Sequence, residues 1–418
     1  MSVAESPAAA VPLASTRMAA ALFAAFAFAY FFSALLRAVT ATLAPTFSAE
    51  LGLSAGDLGL LGGAYFLGFS LMQLPLGRAL DRHGPRRVLM LLLGLAVVAC
   101  AAFALARSFL ALLAARTLIG VGVSACLMAP LTAYRHRFGA AAQLRANSWM
   151  LMTGSLGMLA STLPVQWLLP VLGWRGLFWL VAGLLALATL LIAWVVPRDA
   201  AAIRDTGAAV LGYRAIFRHP YFVRLAPLAF FVYGGLVAVQ SLWAGPWLTE
   251  VVGRSAGDAA RGLFAINLSM LFAFLGWGLA MPHLTRRGWQ VDRLIALGVP
   301  LALLLLVGAV LLGPRAGAAW WAAWCVSCTF VSLSQPALAQ AFPAMAAGRA
   351  LSAFNLVIFA GVFSVQWGIG LAIDALRALG WPRVQAFQAA FALFALCCIG
   401  AYAWFLWRGR RGLLAHNG

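Results

Sequence analysis

Gly77-Arg78-Ala79-Leu80-Asp81-Arg82-His83-Gly84-Pro85-Arg86-Arg87 reads as a tight polar turn between two long apolar runs. The run on either side is nearly free of charge over about 20 residues, the length a helix needs to cross a bilayer. Four arginines in one short turn between two spans place that turn on the cytoplasmic face.

The rest of the chain repeats this alternation. It is 64% hydrophobic and 9% charged, with mean hydropathy +0.95, a composition outside the range of soluble globular domains. Apolar runs recur from Ala19 to Trp407, so the membrane holds the whole chain. The net charge of +19 does not mark a nucleic-acid binder, because the arginines are scattered over short loops and form no patch. Every basic residue apart from histidine is arginine. The N-terminus lacks a cleavable signal, since its first apolar run is too long for one. The six cysteines (Cys100, Cys126, Cys325, Cys328, Cys397 and Cys398) fall inside apolar runs, where free cysteine behaves as a small hydrophobe. No metal site and no cofactor are expected.

Twelve helices are read over residues 18–43, 55–80, 88–106, 109–134, 146–170, 174–196, 221–247, 259–281, 291–313, 318–341, 350–374 and 383–407. Loops after odd-numbered spans carry few arginines: Arg107, Arg175, Arg254, Arg261, Arg315, Arg377 and Arg383. Apart from Arg37 and Arg116, the remaining arginines lie on the other side, with both termini. That asymmetry places both termini in the cytoplasm. The expected organisation is a disordered N-terminus (1–17), a six-helix half (18–196), a cytoplasmic linker (197–220), a second six-helix half (221–407) and a tail (408–418).

The two halves align. Pro45 falls on Pro246 and Gly77 on Gly278 at one offset of 201, and His283-Leu284-Thr285-Arg286-Arg287-Gly288 is a worn copy of the polar turn. Val165-Gln166-Trp167 recurs as Val365-Gln366-Trp367, and Gly173-Trp174-Arg175 as Gly380-Trp381-Pro382-Arg383. The pattern G-x-x-x-D-R-x-G-x-R-R between a second and a third span closely resembles the signature loop of the major facilitator superfamily of transporters. The resemblance implies an all-α integral membrane fold of two pseudo-symmetric six-helix halves, with the substrate site between them near the midplane.

An ionisable group inside a span is costly and marks function by default. Only Arg37, in span one, and Arg116, in span four, qualify; no Asp or Glu lies mid-span. A guanidinium offers a planar fork that grips carboxylate or phosphate at two points. The segment from Arg37 through Pro45 to Leu61 resembles the first hairpin of organic-anion and organophosphate branches of the superfamily, which implies an arginine facing the central cavity. A snorkelling or structurally paired Arg37 is the other reading. Arg116, in Arg116-Thr117-Leu118-Ile119-Gly120-Val121-Gly122, resembles a family motif linked to gating or proton transfer; a buried structural arginine is the alternative. The substrate-site candidates are Arg37, Tyr30, Tyr65, Tyr233, Gln240, Trp243, Asn267, Gln335, Asn355 and Gln366, with Gln73, Asn147, Trp149 and Gln166 as further lining. Tyr233, Gln240 and Trp243 share one face of span seven by helical spacing. The gating set is Gly77, Asp81, Arg82, Gly84, Arg86, Arg87 and Arg116. Family resemblance implies that Asp81 faces the start of span eleven near Arg349, where a helix N-terminus favours a carboxylate.

Departures from family patterns narrow the function. The G-P-x-x-G-G motif of drug/proton antiporters is absent from span five, and so are the membrane acids of cation exporters and sugar symporters. Met270 stands without the Met and His partners that copper import needs. No nucleophile–base set or phosphate loop points to an enzyme. The expectation is therefore a monomeric secondary transporter in a bacterial inner membrane. It takes up a small organic anion, with proton coupling an open option, and it has no nucleic-acid partner. An exporter of amphipathic compounds is the alternative.

Overall fold

Hydrocarbon offers no partner for backbone N–H and C=O groups, so a chain this apolar closes its hydrogen bonds within helices. The computed structural model describes residues 15–197 and 212–414, and among the described residues regular structure is helical, with no strand. The expectations for 1–14, 198–211 and 415–418 lie outside the described residues.

Ten helices among the described residues are long and apolar enough to span: Thr16–Leu51, Pro85–Leu105, Phe109–Arg135, Leu163–Val195, Pro220–Val251, Ala256–Arg286, Val291–Arg315, Ala318–Gln340, Met345–Ala378 and Arg383–Gly409. The bent pair Ala55–Leu71 and Gln73–His83 adds an eleventh. Leu163–Val195 counts once, yet Gly173 inside it adopts φ 62° and ψ 170° and divides it in two. Ala140–Ala160 runs through a break at Ser161 and Thr162 into the first of those parts. The path is thus consistent with twelve spans, named below by their order. Span five runs from Ala140 to the Gly173 turn, and span six follows it.

Several ends differ from expectation for identifiable reasons. Span one does not stop at residue 43 but passes Pro45 and ends at Leu51, where Gly52 adopts φ 62°. Proline normally ends a helix because it frees the carbonyl four residues back. Here that carbonyl, Ala41, lies against Gly245 of span seven, so close that a Cβ on Gly245 would stand 2.4 Å from it. The polar turn is also shorter than it reads. Gly77, Asp81 and Arg82 lie within helix Gln73–His83, and Gly84 alone turns the chain, at φ 77° and ψ 154°. Only glycine adopts that conformation without strain, and Pro85 opens the next helix with its φ already set. In the linker, Tyr213–Arg218 forms a short helix, with Arg78 stacked 5.8 Å from the Tyr213 ring.

Packing relies on small residues, because apolar side chains gain nothing by leaving one hydrocarbon for another. Within the first half, a Cβ on Gly120 would stand 1.9 Å from the Tyr65 carbonyl. Between the halves, spans two and eleven touch backbone to backbone: a Cβ on Gly59 would meet the Gln366 carbonyl at 2.4 Å, and one on Gly370 the Ala55 carbonyl at 2.3 Å. These inter-half contacts sit at the arginine-poor end of the bundle and close it.

Substitution Gly120→Leu is expected to destabilise by at least about 1–3 kcal/mol through overpacking. Gly94, whose Cβ would meet nothing within 4 Å, should accept alanine with no loss of Tm. Equal Tm for both variants and the parent would contradict this packing.

Candidate functional site

Among the described residues, two guanidiniums, those of Arg37 and Arg116, lie away from the span ends and without an acid partner, and their surroundings separate their roles. Arg116, on span four, is buried to 1% exposure. It donates through Nη2 to the Leu36 carbonyl at 2.8 Å and to Thr40 Oγ1 at 2.6 Å. Its Cζ lies 5.2 Å from the Tyr65 ring, a distance at which the ring face attracts a cation. Arg116 thus ties span four to span one at the residue next to Arg37, and in this state it has no access to solvent.

Arg37 faces a small cavity between the halves, of about 100 Å³. Its Cζ lies 5.5 Å from the Phe69 ring of the first half and 5.9 Å from the Phe359 ring of the second. The hydroxyls of Tyr65 and Tyr30 are its polar neighbours, and Tyr65 donates to the Ser33 carbonyl at 3.1 Å. Neither hydroxyl carries charge, and Nε of Arg37 is buried without a partner. The acids among the described residues are Glu50, Asp57, Asp81, Glu250, Asp258, Asp292 and Asp374, and none of these lines the cavity.

Both halves build the wall. Arg37, Ser155 and Met158 come from spans one and five; Tyr233, Gln240, Asn267, Met270 and Phe274 come from spans seven and eight, with Leu236 and Val237 between. Gln240 Nε2 donates to Asn267 Oδ1 at 2.9 Å, and Asn267 Nδ2 to the Leu263 carbonyl at 2.9 Å. The two amides therefore hold each other and present a neutral polar edge.

Arg37, Tyr233, Gln240 and Asn267 thus meet in one cavity, with Tyr30 and Tyr65 behind Arg37. Trp243 is elsewhere. It is fully buried towards the arginine-poor end, donating to the Gln366 carbonyl at 3.0 Å. Span seven explains the difference: Ala229–Tyr233, Val239–Trp243 and Trp247–Val251 are π-helical. Wider turns carry residues three apart off a shared α-helical face. Gln366 is buried behind that tryptophan, donating to the Ala238 carbonyl at 3.3 Å and to Ser241 Oγ at 3.0 Å. Gln335 donates to Asn355 at 2.9 Å, and neither lines the cavity. Gln73 donates to the Phe69 carbonyl at 3.2 Å, and Trp149 is exposed. Phe69, Phe359, Met158 and Phe274 escaped the sequence reading, since one Phe among 28 carries no distinguishing mark.

Apart from Arg116, which is bonded to span one, the gating set lies at the arginine-rich end. Arg86 reaches the Ala193 carbonyl of span six, while Arg82 and Arg87 are exposed. Asp81 is exposed, and no ion pair joins it to Arg349 among the described residues. The corresponding contact exists at the opposite end. Asp374, closing span eleven, accepts from the backbone N–H of Ala55 at 3.1 Å and of Gly56 at 2.7 Å, the first residues of span two.

The Major Facilitator Superfamily pattern matches residues 26–365. None of the curated proteins compared with the chain matches it. Among solved structures, a bacterial homologue of the human lysosomal transporter Spinster, inward-facing and unoccupied, superposes with TM-score 0.77 at 18% identity, covering 95% of this chain and 98% of that one. A D-xylose–proton symporter superposes with TM-score 0.68 at 17% identity over 91% and 97% of the two chains. The nucleoside transporter NupG does so with TM-score 0.71 at 12% identity over 94% and 99%. At these identities the likeness is one of fold.

Thr40→Val keeps the shape of the side chain and removes an acceptor from a buried charged donor. It is expected to cost about 1.5–3 kcal/mol, seen as a lower Tm of the purified protein. An unchanged Tm would show that Arg116 does not clamp span one.

Proposed function

Because the chain belongs to the Major Facilitator Superfamily, we propose that it is a secondary transporter of a small organic anion, with Arg37 as the positive pole of the site. The observation that carries this reading is a guanidinium lining an inter-half cavity with no carboxylate to pair it. An uncompensated buried cation is expensive, and a carboxylate held by the fork relieves that cost while adding two charge-assisted hydrogen bonds.

The rest of the proposal concerns setting and movement. The arginine-rich end, with both termini, faces the cytoplasm of a bacterial cell, and the membrane is the inner one. The halves rock about the fixed site, and Asp81 engages the start of span eleven when the cytoplasmic end closes. Arg116 keeps span one in place during that movement. Uptake and proton coupling find no residue of the cavity to argue for them and are not part of the proposal.

Arg37→Lys retains charge but loses the fork and should weaken anion binding; Arg37→Gln should weaken it further, by about 2–5 kcal/mol for a desolvated pair. The measurement is the thermal shift of purified protein against a panel of metabolite anions, with monodisperse gel filtration as the check on folding. If Arg37→Gln responds to the same anions as the parent, or if lipophilic cations are the stabilising ligands, the exporter of amphipathic compounds replaces this reading.

A further inference from the structure

The charge inventory of the cavity limits the cargo more narrowly, on the reading that Arg37 binds its anionic group. We propose that the substrate is a monoanion with an apolar body, in chemical class a hydrophobic monocarboxylate, and not a dicarboxylate or a phosphate ester. Among the described residues, Arg37 is the one cation in the wall. Arg116, the other guanidinium within the spans, is turned towards the Leu36 carbonyl and Thr40 and reaches no cargo. A second negative charge in the cavity would therefore be buried without a counter-ion, which is prohibitive in a low-dielectric site. The donors that remain, the hydroxyls of Tyr233 and Ser155 and the amides of Gln240 and Asn267, carry no charge, and Gln240 is bonded to Asn267 and Asn267 to the Leu263 carbonyl. The apolar part of the lining is Met158, Leu236, Val237, Met270 and Phe274. Thioether and aromatic groups of that kind adapt to an apolar body of variable shape.

The test is equilibrium binding to purified protein in detergent. The monocarboxylates are benzoate, phenylacetate and octanoate; the dianions are succinate and glycerol 3-phosphate; the cation is tetraphenylphosphonium. At least one monocarboxylate should bind about ten-fold or more tightly than either dianion, and Arg37→Gln should abolish the difference. Tighter binding of a dianion that still depends on Arg37 overturns the monoanion and leaves the anion site standing. Monocarboxylate binding indifferent to Arg37, or preference for the cation, removes the anion site itself. Failure of all three monocarboxylates to bind overturns the class.

A separate observation carries a second inference, independent of the cargo. Spans two and eleven run antiparallel, each with an acid near its C-terminal end: Asp81 on one, Asp374 on the other. A carboxylate there is disfavoured by its own helix dipole and favoured by the N-terminus of a neighbour. Asp374 meets this condition, taking the first two N–H groups of span two, while Asp81 is exposed and has no partner among the described residues. We infer that Asp374 is the latch of the arginine-poor gate, made in this state, and that it alternates with Asp81.

Ala44, buried to 1% beside the second cavity at that end, is the reporter. In protein carrying Ala44→Cys, Asp374→Ala should raise labelling by a bulky maleimide several-fold over background from the native cysteines. Gly56→Ala, whose Cβ would press on Asp374 Oδ2 at 2.7 Å, should act in the same direction without removing the acid. Adding Asp81→Asn should reverse part of the gain. Unchanged labelling in both single variants, with Tm and gel filtration intact, overturns the latch.

Discussion

Lipid leaves a polar group no partner, and that constraint shapes each level of this protein. It forces the backbone into helices. It makes close approach, by way of glycine, the means of holding helices together. It also means that a charge inside a span stands out unless the fold compensates it. Arg116 is fully buried, giving Nη2 to a carbonyl and a hydroxyl and lying against an aromatic face, while its Nε and Nη1 are without a partner among the described residues. Arg37 has aromatic faces and neutral hydroxyls but no acid. Both are arginines in the middle of apolar helices, and only their neighbours make one a clamp and the other an open pole.

Arg37 belongs to the first half, yet Phe359 and Tyr233 of the second half stand around it. On the proposed reading, cargo bound to Arg37 would touch both halves. A ligand changes the balance between two states only through contacts that differ between them, and a site shared by the halves meets that condition. The ends of the bundle are unequal in the present state. The arginine-poor end is closed by backbone contacts at Gly59 and Gly370 and by Asp374 on the start of span two. At the other end the Asp81 contact is not made.

Much of this was legible in the sequence because it depends on local rules. Gly84 before Pro85, arginines on alternate loops and the 201-residue offset all identify the fold without reference to distant packing. Arg37, Tyr233, Gln240 and Asn267, which line one cavity, were conspicuous in the sequence as polar residues in apolar runs. The remainder was not legible, because it depends on contacts remote in sequence. Pro45 looks like a helix end until Gly245 is seen against the carbonyl it frees. Trp243 fits an α-helical face with Gln240, and only the π-turns of span seven carry it away. Phe69 and Phe359 flank Arg37 from residues nearly 300 apart in sequence. Asp374 carried one unread sign, an acid at the C-terminal end of its own helix.

The central claim, that Arg37 is the pole on which cargo is held between the halves, is most directly tested by diffraction from crystals grown with 4-bromophenylacetate. The account predicts the anomalous bromine peak within the cavity, among Met158, Met270 and Phe274, with carboxylate density bridging to the Arg37 guanidinium. A bromine peak in the cavity beside Asp374 and Arg377, or on the outer surface, with no density at Arg37, would contradict it.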